Sequence, residues 1–480
     1  MKKRIFKIAL VSLLAVGIAP VLTSCVDETL NIDPKHPSVL PSENFLATGL
    51  YQFAYYTTTP SVNFNNYVFF VQNLSETTYN DETRYNLVTR NQPRNHFNRM
   101  YVYVLGNIRN AKNALPKEGF TAVDQANKLA SLEITEILAW ENLVNTFGNI
   151  PYSEALQGDA ENPNYTAKYD DAKSIYIDLI NRIDAVVATI NPSVKGYEGD
   201  VIYEGDMKKW IKTANAIKLR LGLNLADTDP VLAKLVVESA VQNGVYANAT
   251  ESFTFKYDNG TFTNPFYDNF VASGRNDFVA SNTVVNLMND KEDPRREQWF
   301  TKVGEDFVGG IFGNKNPYSR YSHLSKDFFL AKNNPFQVIS YTEVAFMLAE
   351  AAQRGFSVGG SAEEWYTKGI TASFAESGIA GEATTYLAAN PYDAANWKQS
   401  IGEQAYIALY TKAYATWNFT RRLDYPVLAV NYPQVSLLSS VPYRMPYSDQ
   451  EYVLNATNVN AAASAIGGDK ATTKLFWDVN

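Results

Sequence analysis

The chain has 480 residues, of which 46% are hydrophobic, 13% aromatic and 19% charged, and its 42 Lys+Arg against 50 Asp+Glu give a formal charge of −8. A chain of this length buries a large core without cross-links, and its low charge and 31 Tyr exclude a disordered polyelectrolyte. One Cys excludes a disulfide framework and every zinc site built on CxxC pairs, and His36, His96 and His323 lie too far apart for a local metal motif.

Lys2, Lys3, Arg4 and Lys7 head the chain, followed by an apolar stretch, residues 8–22, broken by Ser12, Gly17 and Pro20. That stretch is too short for a membrane span and has the length of an export signal. It ends in Leu22-Thr23-Ser24-Cys25, the pattern of a bacterial lipoprotein cleavage box, with the one Cys of the chain at the position that takes the lipid. Residues 1–24 are therefore read as a lipoprotein signal peptide, Cys25 as the lipid anchor, 25–45 as a lipidated tether with Pro34, Pro37 and Pro41, and 46–480 as one folded unit. Each buried methylene of an acyl chain contributes about 0.8 kcal/mol, and no later run of 18 apolar residues exists, so the lipid is the expected membrane attachment. Residues 1–24 carry four positive and no negative charges, so their removal takes the formal charge from −8 to −12. With no basic cluster to offset it, that charge excludes a nucleic-acid partner.

Helical periodicity dominates from there. Ile134, Ile137, Trp140, Val144 and Phe147 step by three and four, as do Ile175, Leu179, Ile183, Val187 and Ile190. Residues 208–225 predict a helix, 227–230 a turn, and a partner helix that stops at Asn243-Gly244. Residues 250–335 change character: Phe253, Phe255 and Tyr257 alternate as in a strand, Asn259-Gly260 is a hairpin-type turn, and the remainder is rich in Asn, Gly, Phe and Tyr. Helices return at 341–354, 362–377 and, as one run, 397–417. The pair around residues 349–370 is similar to a tetratricopeptide unit. The expected fold is mostly α: tetratricopeptide-like helix pairs with a large irregular, loop-rich remainder.

Catalytic patterns fail one by one. Gly355-Phe356-Ser357-Val358-Gly359 matches a nucleophile elbow in letters, but a helix precedes it and no histidine follows His323, so it reads as an interhelical loop. Glu343 and Glu350 share a helix face roughly 10.5 Å apart along the axis. That spacing on one helix does not oppose two carboxylates across a cleft as glycoside hydrolysis requires, and the pair reads as a solvated or capping feature. Residues 309–313 (GGIFG) lack the spacing of a dinucleotide fingerprint and read as a turn or a close backbone approach. No catalytic residue, metal or cofactor is expected.

Several segments resemble one family in order along the chain: residues 140–155 (WENLVNTFGNIPYSEA), 205–210 (GDMKKW) leading to 214–221 (ANAIKLRL), Asp293-Pro294-Arg295, Ser340-Tyr341-Thr342-Glu343 with Ala349-Glu350-Ala351, Arg421-Arg422 with Tyr425-Pro426, 442–447 (PYRMPY) and 474–478 (KLFWD). These, with the cleavage box and the acidic Asp27-Glu28 behind it, are similar to the SusD/RagB nutrient-binding outer-membrane lipoproteins of Bacteroidota. Phe476 stands where a second tryptophan is common. The resemblance implies a non-catalytic, lipid-anchored protein facing the cell exterior, with a SusD-like α-α superhelix. It implies capture of oligosaccharides for import through a SusC-like TonB-dependent transporter. The alternatives are a peptide-binding RagB-type lipoprotein and a surface glycoside hydrolase.

A sugar site needs aromatic plates and a few planar polar groups, and loops carry such sites more often than helix stripes do. Tyr79, Asp81, Arg84 and Tyr85, in the interhelical region before the helix through Tyr101, are the first candidates. Tyr318, Arg320 and Tyr321, in the second irregular stretch, are the others. Trp299, after the Asp-Pro-Arg turn, reads as packed.

Overall fold

Helix starts are set by side chains that accept from the otherwise unpaired first-turn amides. The computed structural model describes residues 40–158, 160–430 and 436–479; the signal peptide, Cys25 and most of the expected tether lie outside the described residues. The principal helices are α1 (Ser42–Thr58), α2 (Gln92–Asn98), α3 (Gly106–Ala114), α4 (Ala122–Phe147), α5 (Ala172–Thr189), α6 (Met207–Asn224), α7 (Pro230–Asn243), α8 (Asn282–Asp290), α9 (Tyr341–Gln353), α10 (Ala362–Glu376), α11 (Trp397–Ala408) and α12 (Ala413–Leu423). Thr121, Asp171, Asp206, Asp229 and Ser340 cap α4, α5, α6, α7 and α9, and Ser361 with Glu364 forms a capping box on α10. Gly244 ends α7 at φ +97°, a conformation only glycine adopts cheaply.

Successive helices pack as pairs: α4 with α5, α6 with α7, α9 with α10 and α11 with α12, while α1 packs on α3. Among the described residues the strands form three separate antiparallel ribbons, β1 (Leu74–Glu76) with β5 (Phe278–Ala280), β2 (Ile150–Pro151) with β3 (Tyr169–Asp170), and β4 (Phe253–Phe255) with β6 (Phe336–Ile339). The expected mostly α fold is the one observed. No helix among the described residues is long and apolar enough to cross a membrane.

Four local expectations are corrected. Helix α1 starts at Ser42, inside the expected tether, because the Ser42 amide and hydroxyl bond to the Glu118 carboxylate. β4 pairs with β6 across the chain rather than through a hairpin at Asn259-Gly260, which is a turn closed by Asp258 N to Phe262 O (2.7 Å). The run 397–417 is two helices, broken where Thr411 takes φ +71°.

The fourth correction concerns Glu343 and Glu350, which are buried and paired rather than solvated. Arg220 of α6 donates to Glu343 of α9 through Nη2 (2.7 Å) and Nε (2.9 Å), and to Glu141 of α4 through Nη1 (3.1 Å). Arg422 of α12 holds Glu350 at 2.8 Å and Asn224 of α6 at 2.9 Å, and Arg354 ties Glu350 to Asp227. The two carboxylates thus neutralise arginines from neighbouring helices. The elbow-like residues 355–359 are, as expected, a loop after α9, with Gly355 and Gly359 at positive φ.

Motifs scattered over 330 residues of sequence converge on the C-terminal end of α4, where the last carbonyls of a helix need donors. Gly148 N bonds to Val144 O (2.9 Å), and Met445 N to Thr146 O (2.8 Å). Arg421 Nη1 donates to Asn145 O (2.8 Å), and Arg444 Nη2 to Phe147 O (2.8 Å). Trp477 Nε1 reaches Asn145 Oδ1 (3.1 Å), and Phe476 packs edge-on to Tyr176 at 5.0 Å, so the departure from tryptophan leaves the closure intact.

Candidate functional site

The ribbon β1–β5 carries both candidate stretches. β1 leads directly into residues 77–91. Ala280, the last residue of β5, holds the second stretch at two points: Gly310 N donates to Ala280 O (2.8 Å), and Ala280 N donates to Ser322 O (2.9 Å). Ser75 Oγ adds a bond to Gly310 O (2.8 Å). The two stretches are then knit together by Asn316, whose amide donates to Thr77 O (3.2 Å) and whose Nδ2 donates to Glu76 O (2.9 Å). Arg84 Nε donates to Gly313 O (2.9 Å).

Residues 309 and 310 are glycines for a spatial reason, as the expected close backbone approach requires. A Cβ on Gly309 would sit 2.4 Å from Asn282 Cα, and one on Gly310 would sit 2.5 Å from Val279 Cγ2. Gly309→Ala should therefore cost about 1–3 kcal/mol through overpacking and loosen the stretch bearing Tyr318 to Tyr321. Gly381→Ala, which meets nothing within 4 Å, should stay within about 0.5 kcal/mol of wild type. Equal denaturant midpoints for the two variants would contradict this reading.

Under the first stretch lie two buried carboxyls, Glu76 and Glu82. Glu76 accepts from Thr83 N (3.0 Å) and Thr83 Oγ1 (2.8 Å); Glu82 accepts from Gln92 Nε2 (2.8 Å) and pairs with Arg90 (3.2 Å). Burial, and then the neighbouring Glu82, push the Glu76 carboxyl well above the ordinary carboxylate range. Burial raises the Glu82 carboxyl as well, and the two bonds from Thr83 tie Glu76 to the turn that follows Tyr79.

The candidates divide accordingly. Tyr79 is 59% exposed. Asp81 is half-buried, 3.7 Å from Arg90, and accepts from Asn86 Nδ2 (3.1 Å). Arg84 is half-buried and its carbonyl accepts from Leu437 N (3.1 Å), which brings the exposed Leu437 to the rim. Tyr318 stacks on His323 with ring centres 3.7 Å apart and planes 8° from parallel, Arg320 is exposed, and Tyr321 is half-buried.

Tyr85 does not belong with them. It is 2% exposed, its hydroxyl accepts from Gln72 Nε2 (3.0 Å), and its ring packs on Phe312 at 5.8 Å. The left-handed backbone at Tyr85 (φ +59°) turns this ring to the core while Tyr79 stays at the surface. Trp299 is packed as expected, stacked on Tyr410 at 5.6 Å. Sequence reading missed Leu437 and the exposed Val308 and Ile311; irregular stretches carry no period that marks an outward side chain.

The surface so formed combines tyrosine rings, guanidinium groups and loop amides. It suits a ligand with apolar faces and hydroxyl edges. Among the described residues no group of three or more His, Cys, Asp or Glu could hold a metal ion.

Residues 34–448 match a protein family described as starch-binding and associating with the outer membrane, the SusD-like proteins. No curated protein matches the chain. A solved chitin-binding protein is 25% identical with a TM-score of 0.80, covering 92% of this chain and 100% of its own. A SusD homologue from Bacteroides uniformis is 25% identical with a TM-score of 0.77, over 90% of this chain and 99% of its own. A chitin-binding SusD homologue from Flavobacterium johnsoniae, 23% identical with a TM-score of 0.76 over 92% of this chain and 99% of its own, shares the fold.

Proposed function

The chain belongs to the SusD-like family of nutrient-binding, outer-membrane-associated proteins, and from that premise we propose that it captures oligosaccharides at the cell surface and delivers them, uncleaved, to a SusC-like transporter. The observation that carries this reading is the loop surface built on β1–β5, where exposed Tyr79 and the Tyr318–Arg320–Tyr321 segment sit on stretches knit by direct hydrogen bonds. A chitin-binding relative at 25% identity supports a glycan built of acetylated amino sugars, and the family description supports an α-glucan.

Capture needs no chemistry in this scheme. Aromatic plates take the sugar faces, and loop amides and guanidinium groups take the hydroxyls. Acylation at Cys25 leaves sixteen residues, 26–41, before α1. Anchoring through so short a segment would hold the protein at the membrane and raise the effective ligand concentration at a transporter mouth to about millimolar.

Tyr79→Ala with Tyr321→Ala should weaken binding of triacetylchitotriose or maltotriose about ten-fold or more, with the melting temperature nearly unchanged. Tyr85→Ala should do the reverse, lowering the melting temperature because it empties core volume. Undiminished affinity in the double variant would remove the loop surface from the binding account.

A further inference from the structure

A wide cleft lies on a different set of elements. About 690 Å3 in volume, it is walled by α3, α4, α5 and the segment after β2, within the 300–1,000 Å3 typical of small-ligand sites. Part of its lining comes from Tyr152, Ser153 and Ala155 of the family-like segment, which the loop surface does not use.

Its polar groups are fixed before any ligand arrives. Arg182 of α5 donates from Nε to Glu133 (2.6 Å), from Nη1 to the Tyr152 hydroxyl (2.7 Å) and from Nη2 to Glu136 (3.0 Å). Lys112 of α3 bridges the same two glutamates, and Trp140 Nε1 donates to Glu136 (3.0 Å). Burial would raise the Glu136 carboxyl, but Lys112 and Arg182 outweigh it and hold the group below the ordinary carboxylate range. Tyr152 stands edge-on to Trp140 at 5.0 Å, half-buried, and its hydroxyl donates a hydrogen bond to Asp178 Oδ2. In the wall beyond, Leu156 is held at φ +60°, a conformation that non-glycine residues keep only where their surroundings impose it.

The balance of charge selects the ligand class. Three cations, Arg109, Lys112 and Arg182, line the cleft with three anions, Glu136, Asp170 and Asp178, and just behind them Glu133 and Lys168 add one charge of each sign, so no strong net field favours an ion. A charged ligand has to displace pairs already formed. A neutral polyol does not: it uses the second oxygen of Asp178, the exposed Gln157 amide and the half-buried Tyr152 ring, and planar charged groups held by their own pairs lose little freedom on binding.

We propose that this cleft is a second carbohydrate site, taking a short neutral saccharide independently of the loop surface. The inference rests on the carbohydrate reading above and goes beyond it in location and number of sites. Asp178 and Gln157 are both exposed, so Asp178→Asn with Gln157→Ala leaves the core untouched.

Calorimetric titration with triacetylchitotriose and with maltotriose should find two sites in the wild-type protein for the sugar it takes. The Asp178→Asn/Gln157→Ala protein should lose one of them, weakened about ten-fold or more, and keep the other. The Tyr79→Ala/Tyr321→Ala protein should show the converse loss. One site in the wild-type protein, lost with the loop pair and unmoved by the cleft pair, would overturn the second site and leave the capture reading standing. No heat with either sugar in wild type would take both away.

Discussion

Replacing Arg220 with alanine should cost about 3–5 kcal/mol of stability, the range for breaking a buried ion pair from one side. Arg220 is 1% exposed and is shared by Glu141 and Glu343, which are 0% and 2% exposed. The pairing raises the guanidinium further above its ordinary value, against the opposing effect of burial. Without it, two carboxylates from α4 and α9 face each other in the core with no counter-charge. The cost comes from the stranded charges more than from lost contacts, so two results distinguish it from simple cavity formation. Adding Glu141→Gln and Glu343→Gln to an Arg220→Met background should recover most of the loss. The deficit of Arg220→Ala should also shrink as pH falls and the stranded Glu141 carboxyl, which burial already raises in the wild type, takes up a proton. A deficit independent of pH, and unrelieved by the glutamines, would mean that the arginine acts only as packing.

The second large effect is a pH dependence centred on His96. The ring is fully buried, with Nε2 2.9 Å from Asn142 Oδ1 and 3.0 Å from the Tyr67 hydroxyl, and burial pushes its pKa down to about 4 from 6.5. The unfolded chain therefore binds this proton below pH 6.5, and the folded chain refuses it until about pH 4. The stability His96 contributes is complete above 6.5, is lost as pH falls through that window, and amounts to about 3 kcal/mol. Asp478 opposes it: burial raises its carboxyl to about 6 from 3.8, so the folded chain gains stability as pH falls through the same interval. The wild-type profile mixes the two, and variants separate them. His96→Gln keeps an amide donor near Nε2 and should remove the acid-side loss, so its stability relative to wild type should rise by about 3 kcal/mol between pH 7 and pH 4. Asp478→Asn should show the opposite slope. Parallel profiles for His96→Gln and wild type would contradict the buried neutral imidazole.

How far the sequence carries this account depends on the range of the interaction. The helices at 134–147, 175–190, 208–225 and 341–354 were legible because burial recurs every three or four residues, and a local period records it. The glycines at 309 and 310 were legible as a close approach because that residue type marks missing space. The pairing of β4 with β6 was not, since β6 lies some eighty residues away and a short strand carries no label for its mate. Glu343 and Glu350 read as solvated for the same reason: Arg220 and Arg422, which neutralise them, come from other helices. The convergence of Arg421, Arg444 and Trp477 on the end of α4 is likewise invisible until the chain is folded. Within the candidate surface, Tyr79 and Tyr85 are equivalent in sequence, and a backbone dihedral decides which one faces outward.

The most direct test of capture without cleavage is a calorimetric titration of soluble residues 26–480 with chitin- and starch-derived oligosaccharides and with peptides, each mixture then resolved by chromatography. Saturable heat with one glycan class, recovered at its original chain length, is the expected result. Shortened products would contradict the account by making the protein a hydrolase, and heat with peptides alone would move its ligand to another class.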